Sequence, residues 1–385
     1  MRECKNICCT TLQPLGDKMK TKNFYMILVF VAVSMVALWV LSSPTPNLQT
    51  IVTKTHSGLK RASNIQLKDQ VLTVDPTYLR QLGLLANRST TDINVEAMTS
   101  KVAYSTDLES VIPANPRTTS GLPVIASAVK PDHFEEAVVL MKSVHLLLSG
   151  YKLVMYDLGL STTEQLLLAK YCNTTWSCEA TLFQFQMYPS HVKYLNIWSY
   201  RPICIQEMLN KYGAVIWVDD GHYFVNDSLS TTLTNAKKYG IQGWAIKEPT
   251  SSITHPNMFR FFNVDEGSYF FQHAVESSHL AIYNSEKVAR HLMLPWVKCA
   301  LLEECISPPG AQNTGCNYFR RPLYKYTGCH RYDMSALNII LGKTFGFEEE
   351  PYISVDNVFA SLLDDQLRAA NKSRPYKTSL EMVNT

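Results

Sequence analysis

The stretch YGAVIWVDDGHYF, Tyr212–Phe224, decides the fold. An apolar run from Ala214 to Val218 stops abruptly at Asp219, Asp220, Gly221 and His222. A short, continuously apolar, β-branched segment bounded by Gly and polar turn formers has the pattern of a strand buried on both faces. In open α/β sheets, ligands sit just outside the carboxyl ends of such strands. Two adjacent carboxylates followed by Gly and His therefore put charge where a metal–phosphate ligand would bind.

The chain on either side alternates between strand and helix signals. Upstream, Leu122–Val129, Tyr151–Tyr156 and Glu179–Phe185 read as strands, and Phe134–Leu148 carries apolar residues at helical spacing. Ser161-Thr162-Thr163-Glu164 is a capping box that opens a helix over Thr162–Tyr171. A further helix runs from Ser199 to about Tyr212 and ends at Gly213. Downstream, Ser228–Tyr239, Glu286 to about Leu294, and Asp333–Leu341 read as helices. Gln242–Ile246 and Ser278–Tyr283 read as strands, and Cys299–Cys329 is a loop-rich insert. This order predicts an α/β domain over 121–363, with a mainly parallel Rossmann-like sheet and helices on both faces. Residues 364–385 form a charged tail.

Hydrophobic content of 46% is ample for a core, and a formal charge of +3 over 385 residues is small. With no basic run interleaved with aromatics, nucleic acid is not an expected partner. Phe24–Leu41 is an uncharged apolar run of eighteen residues, long enough for a membrane helix. Lys18, Lys20 and Lys22 precede it, so the positive-inside bias puts the tail 1–23 in the cytosol and everything after the anchor 24–41 in a lumen. A signal peptide is the competing reading, against which stand the bulky Trp39-Val40-Leu41 and the long leader. Residues 42–120, rich in Ser, Thr, Asn and Asp, read as a stem. Within it Val71–Leu85 is apolar enough to pack against a folded domain.

Four N-x-S/T sequons, at Asn87, Asn173, Asn226 and Asn371, follow the anchor, as expected of lumenal glycosylation sites. Seven cysteines also follow it, and an oxidising compartment makes disulfides the default. Cys172 and Cys178 would close a tight loop, while Cys299, Cys305, Cys316 and Cys329 would pair among themselves. Cys204, among apolar residues of a helix, is left as the free, buried thiol.

An α/β domain on a short type II anchor with a stem is the layout usual among Golgi glycosyltransferases. The helix Tyr200–Tyr212 followed by VIWVDDGHYFVNDSL resembles the DxD region of nucleotide-diphospho-sugar transferases of the GT-A fold, glycogenin-like ones in particular. CHRYDMSALNIIL, Cys329–Leu341, is similar to their later D-Q-x-x-L-N segment, with Asp333 and Asn338 matching and Met334 in place of Gln. Arg201–Phe224, with His255-Pro256-Asn257-Met258 and Pro295-Trp296, also resembles a group of uncharacterised invertebrate type II membrane proteins. The resemblance covers about Gly121–Phe359.

It implies a Golgi membrane enzyme that transfers sugar from a nucleotide-sugar donor to a glycan, glycoprotein or glycolipid acceptor. The alternative is a catalytically inactive relative, acting as a lumenal binding or chaperone protein. A homodimer through the anchor or stem is compatible with either. A hard divalent cation, Mn²⁺ or Mg²⁺, would neutralise the leaving diphosphate. Here the sequence departs from the pattern: the acids are adjacent, and Gly221 stands where the second carboxylate belongs. The candidate metal ligands are therefore Asp219, Asp220 and His222, with clamping by basic residues as the competing arrangement.

The donor-binding candidates are Asp132, Asp219, Asp220, His222, Arg331 and Asn338. Arg331 belongs to a basic group with Arg320, Arg321 and Lys325, each of which is alternatively a solvated surface residue. Asp265 and Glu266 follow the aromatic patch Phe259, Phe261 and Phe262, which would stack a sugar ring. One of the two acids would serve as general base. The competing reading is an acidic turn over core aromatics. Asp333 either contacts substrate, as the resemblance implies, or caps its helix. Arg201 is expected to pair with a carboxylate near the sheet.

Overall fold

The computed structural model describes residues 29–35, 74–86 and 121–366. Residues 29–35 are helical. The rest of the apolar run 24–41, both chain ends and the sequons at Asn87 and Asn371 lie outside the described residues. Among the described residues no helix is long and apolar enough to cross a membrane.

Six strands form the main sheet: β1 (Val124–Val129), β2 (Leu153–Asp157), β3 (Cys178–Leu182), β4 (Ala214–Val218), β6 (Ile241–Pro249) and β7 (His273–Tyr283). Their order is β3-β2-β1-β4-β7-β6. The first four run parallel, and β7 lies antiparallel between β4 and β6. A small second sheet pairs β5 (His222–Phe224) with β8 (Phe359–Ser361).

The continuous apolar runs of β1 and β4 follow from burial on both faces. Alternate side chains point to opposite sides of a strand, and each side meets its own core. Val124, Ala126, Val215 and Trp217 join one cluster, while Ile125, Val129, Ile216 and Val218 join the other. The second face is covered by α2 (Phe134–Leu147), α3 (Thr162–Tyr171) and α5 (Ser230–Tyr239). The first carries α4 (Tyr200–Tyr212), α6 (Leu294–Ala300) and α7 (Asp333–Phe345). The first face also takes α1 (Pro76–Gln81), whose Leu79, with Leu82, Leu84 and Leu85 just beyond it, is buried there. Part of the stretch read as stem is thus core, as the apolar character of Val71–Leu85 suggested.

The expected capping box is present at α3. The Glu164 amide donates to Ser161 Oγ at 3.3 Å, and the Ser161 amide donates to Glu164 Oε2 at 2.8 Å. Disulfides join Cys172 to Cys178, Cys299 to Cys305 and Cys316 to Cys329, and Cys204 is free and buried. Strand β7 starts five residues earlier than its apolar part suggests. It overhangs the end of β4, because Val218 pairs with His279 and the residues before His279 run past it.

Candidate functional site

The chain builds the sheet outward from β1 through β2 to β3, then crosses back to place β4 on the other side of β1. Between β1 and β4 the strand order reverses, and a crevice opens at their carboxyl ends. Lys130 follows β1 there, and Asp219 and Asp220 follow β4. Gly221 turns the chain with φ +93°, a conformation open to Gly and strained for other residues. The two acids therefore face different partners.

Asp219 is fully engaged. Arg201 of α4 donates from Nε to its Oδ1 at 3.1 Å and from Nη2 to its Oδ2, and Trp217 Nε1 donates to Oδ1 at 2.7 Å. The same guanidinium donates from Nη1 to Asp333, at the start of α7, and to Ser277 Oγ of β7 at 2.7 Å. All three ionised side chains are buried. Burial opposes charge on Asp219, but the Arg201 guanidinium outweighs it and holds the carboxyl below its usual range. At Asp333 burial prevails over Arg201, and the carboxyl is pushed up to about 6. Asp220 faces the other way. Lys130 Nζ lies 3.2 Å from its Oδ1, the Lys130 amide donates to Oδ2 at 3.4 Å, and His133 Nδ1 stands 3.8 Å away. Burial raises the Asp220 carboxyl, with Lys130 opposing.

A cavity of about 160 Å³ opens over this network, lined by Trp198, Asp219, Glu276, Ser277, Arg331 and Asp333 among others. It is smaller than the roughly 300–1,000 Å³ of whole-ligand pockets, so it fits one group of a ligand. Larger hollows open elsewhere, for example about 310 Å³ beside Arg290, Lys298 and Lys343; the small one stands at the strand ends. Its rim is strained. Trp198 (φ 50°, ψ 24°) and Tyr332 (φ 47°, ψ −114°) are bulky residues at positive φ, of the kind that persists where surrounding structure imposes it.

Arg331 is half-buried in the cavity wall and donates to the Tyr318 hydroxyl. It has no carboxylate partner among the described residues. Arg320, Arg321 and Lys325 are exposed and are not among the cavity's lining residues.

The structure brings together Asp219, Asp333 and Arg331, and sets Asp220 on the adjoining Lys130 side. Asn338 is spent on the fold: its Oδ1 accepts from the Val275 amide at 2.7 Å, and its Nδ2 donates to Val275 O and Met334 O. Asp132 lies in the turn after β1, with its amide donating to Glu164. Asp265 caps a short 3₁₀ turn by accepting from the Ser268 amide at 3.2 Å, and burial raises the Glu266 carboxyl beside it. Neither lines the cavity. Of the aromatic patch, Phe259 is buried against Tyr269, while Phe261 and Phe262 are half-buried and pack against the same core. Asp333 does not cap its helix; Tyr332 holds that position. At the two sequons described, Nδ2 of Asn173 and of Asn226 donates to a backbone carbonyl.

A divalent cation held by Asp219 and Asp220 does not fit these residues. The Asp219 oxygens already accept from a buried guanidinium and an indole, and both Asp220 oxygens face Lys130. His222 instead groups with Glu276 and His279 of β7, with one potential ligand atom from each lying within 4.8 Å of the others. Burial raises the Glu276 carboxyl and lowers the His279 imidazole to about 3. Sequence reasoning missed Glu276 and His279. Their signal was Glu276-Ser277-Ser278-His279, four polar residues inside an otherwise apolar strand.

The family model described as "Protein of unknown function (DUF1647)" matches residues 103–206. No curated protein matches the chain. The solved structures it is similar to include the WbbM bifunctional glycosyltransferase, at 9% identity and TM-score 0.36, covering 59% of this chain and 38% of that one. Mouse xyloside xylosyltransferase 1 follows at 10% identity and TM-score 0.36, covering 61% and 84%. Core-mannan synthase A from Aspergillus fumigatus, solved in an Mn/GDP form, is 9% identical at TM-score 0.33, covering 60% and 72%. These are glycosyltransferases, the class that the sequence resemblance named. At such TM-scores they carry no argument, and the functional reading rests on the site.

Proposed function

We propose that this chain is a glycosyltransferase whose nucleotide-sugar donor binds across the β1/β4 crevice with its phosphates toward Arg331. One observation carries the reading: a half-buried guanidinium in the wall of a cavity at the carboxyl end of β4, in no ion pair among the described residues, while the acids Asp219 and Asp333 in the same wall are held by Arg201. Arginine's planar fork suits phosphate oxygens, and a fixed cation stabilises the charge that develops on a leaving diphosphate. Arg201 holds Asp219 and Asp333 in place, and Lys130 holds Asp220, so these acids shape the floor of the crevice. The anchor, stem and sequons in the sequence support a type II Golgi membrane protein with this domain in the lumen, acting on a glycan, glycoprotein or glycolipid.

A second reading, a binding protein without turnover, is favoured by one feature. Both strand-end acids are already paired with cations, and Asp265 and Glu266 stand away from the cavity. One experiment addresses both. The full chain in detergent is heated with a panel of UDP- and GDP-sugars, and released sugar is measured in parallel. The enzyme reading expects one donor to raise the melting temperature and to be hydrolysed slowly. Stabilisation without hydrolysis or transfer supports the second reading, and no response to any donor overturns both.

A further inference from the structure

His222 opens β5, Glu276 lies on the overhanging part of β7 and His279 stands opposite Val218 where the overhang begins, so distant segments bring two imidazoles and a carboxylate together. We propose that His222, Glu276 and His279 form a binding site for one divalent transition-metal ion, with Zn²⁺ as the preferred occupant.

Three observations support it. First, Nδ1 of His222 is buried and has no hydrogen-bond partner. A buried polar atom in that state is a cost to the fold that coordination would remove. Second, the spacing is close to what a metal needs. Two ligands at bonds of about 2.1 Å lie at most about 4.2 Å apart, so a triangle within 4.8 Å closes by small side-chain rotations.

Third, the ring of His279 is held from several sides. Trp244 and Phe359 pack 5.0 and 4.8 Å from it, and Ser278 Oγ lies 3.0 Å from its Nδ1. Ligand imidazoles are typically oriented by such secondary partners within an apolar shell.

The donor set selects the metal. Imidazole nitrogen suits Zn²⁺ and its neighbours, whereas Mg²⁺ and Ca²⁺ favour all-oxygen sites. Three protein ligands also leave an open position. Glu276 lines the cavity as well, so the candidate site adjoins it.

Metal binding is measured without any sugar nucleotide, so failure here and failure of the proposed function are separate results. The full chain is loaded with Zn²⁺, dialysed against metal-free buffer and assayed for bound metal, with Mg²⁺ in a parallel arm. One Zn²⁺ per chain and no retained Mg²⁺ are expected. His222→Gln and Glu276→Gln, both at partly exposed positions, should each weaken Zn²⁺ binding by about tenfold or more with far-UV circular dichroism unchanged. His273→Gln, at an exposed residue paired with Glu349 farther along β7, should leave binding unaltered.

If either ligand variant unfolds, the Co²⁺-loaded wild type decides, since ligand-field bands of a four- or five-coordinate nitrogen–oxygen site are expected. Absence of bound Zn²⁺, retention of Mg²⁺ instead, equal affinity in the folded ligand variants, or a featureless Co²⁺ spectrum would each overturn the proposal.

Discussion

Arg201 spends its guanidinium on two buried carboxylates contributed by segments 18 and 132 residues away. Removing it leaves two uncompensated charges in the interior. Arg201→Met should therefore lower unfolding free energy by about 3–5 kcal/mol, measured by urea denaturation. Arg201→Lys should recover only part of that, because a point ammonium cannot serve both acids in the fork geometry. The sequence implied a carboxylate partner for Arg201; it did not imply that the partner would be Asp219. Local spacing marks where acids stand, while their partners are set by long-range packing.

His330 offers a pH test. Buried, it accepts from the His255 amide at Nδ1, and Nε2 faces the Ile306 carbonyl, so it is held neutral. Burial lowers its pKa to about 3 from 6.5. The unfolded chain then binds a proton that the folded chain refuses, so this contribution is complete above pH 6.5 and lost as pH falls toward 3. His330→Gln is neutral throughout. The stability gap between wild type and variant should narrow by up to about 1.4 kcal/mol per pH unit in that window, and a pH-independent gap would refute the assignment.

Among the elements, those with local signals were the most legible. The Ser161–Glu164 capping box fixed the start of α3 to the residue, and Ser161→Ala should cost about 1 kcal/mol in thermal or chemical unfolding. The pair β6–β7 was less legible. Only Ser278–Tyr283 read as strand, because polar Glu276 and Ser277 interrupt the apolar pattern of β7. The close pairing of β6 and β7 is set at Gly243, where an added Cβ would sit 2.4 Å from Val275 Cγ1 and 2.9 Å from Leu280 Cδ2. Gly243→Ala should therefore destabilise by about 1–3 kcal/mol through overpacking. A neutral result would mean that the two strands separate more easily than this packing implies.

For the whole molecule, the alternating rhythm was enough to place Asp219 at the ligand edge of a mainly parallel sheet, while the strand order and its reversal beside β4 are seen only in the fold. It could not reveal the chemistry there. The DDG turn aims one acid at Arg201 and the other at Lys130, and the cation left facing the cavity, Arg331, comes from a loop 111 positions past Asp220. On the proposed reading, this crevice holds a nucleotide sugar through Arg331. The most direct measurement is an equilibrium titration of the stabilising donor into the full-length wild type and into Arg331→Ala, with folding of both verified by circular dichroism. Saturable binding to the wild type and at least about tenfold weaker binding to the variant are expected, matching the loss of one charge-assisted contact of about 1.5–3 kcal/mol. Equal affinity in the two proteins, or no binding of any donor to the wild type, would contradict it.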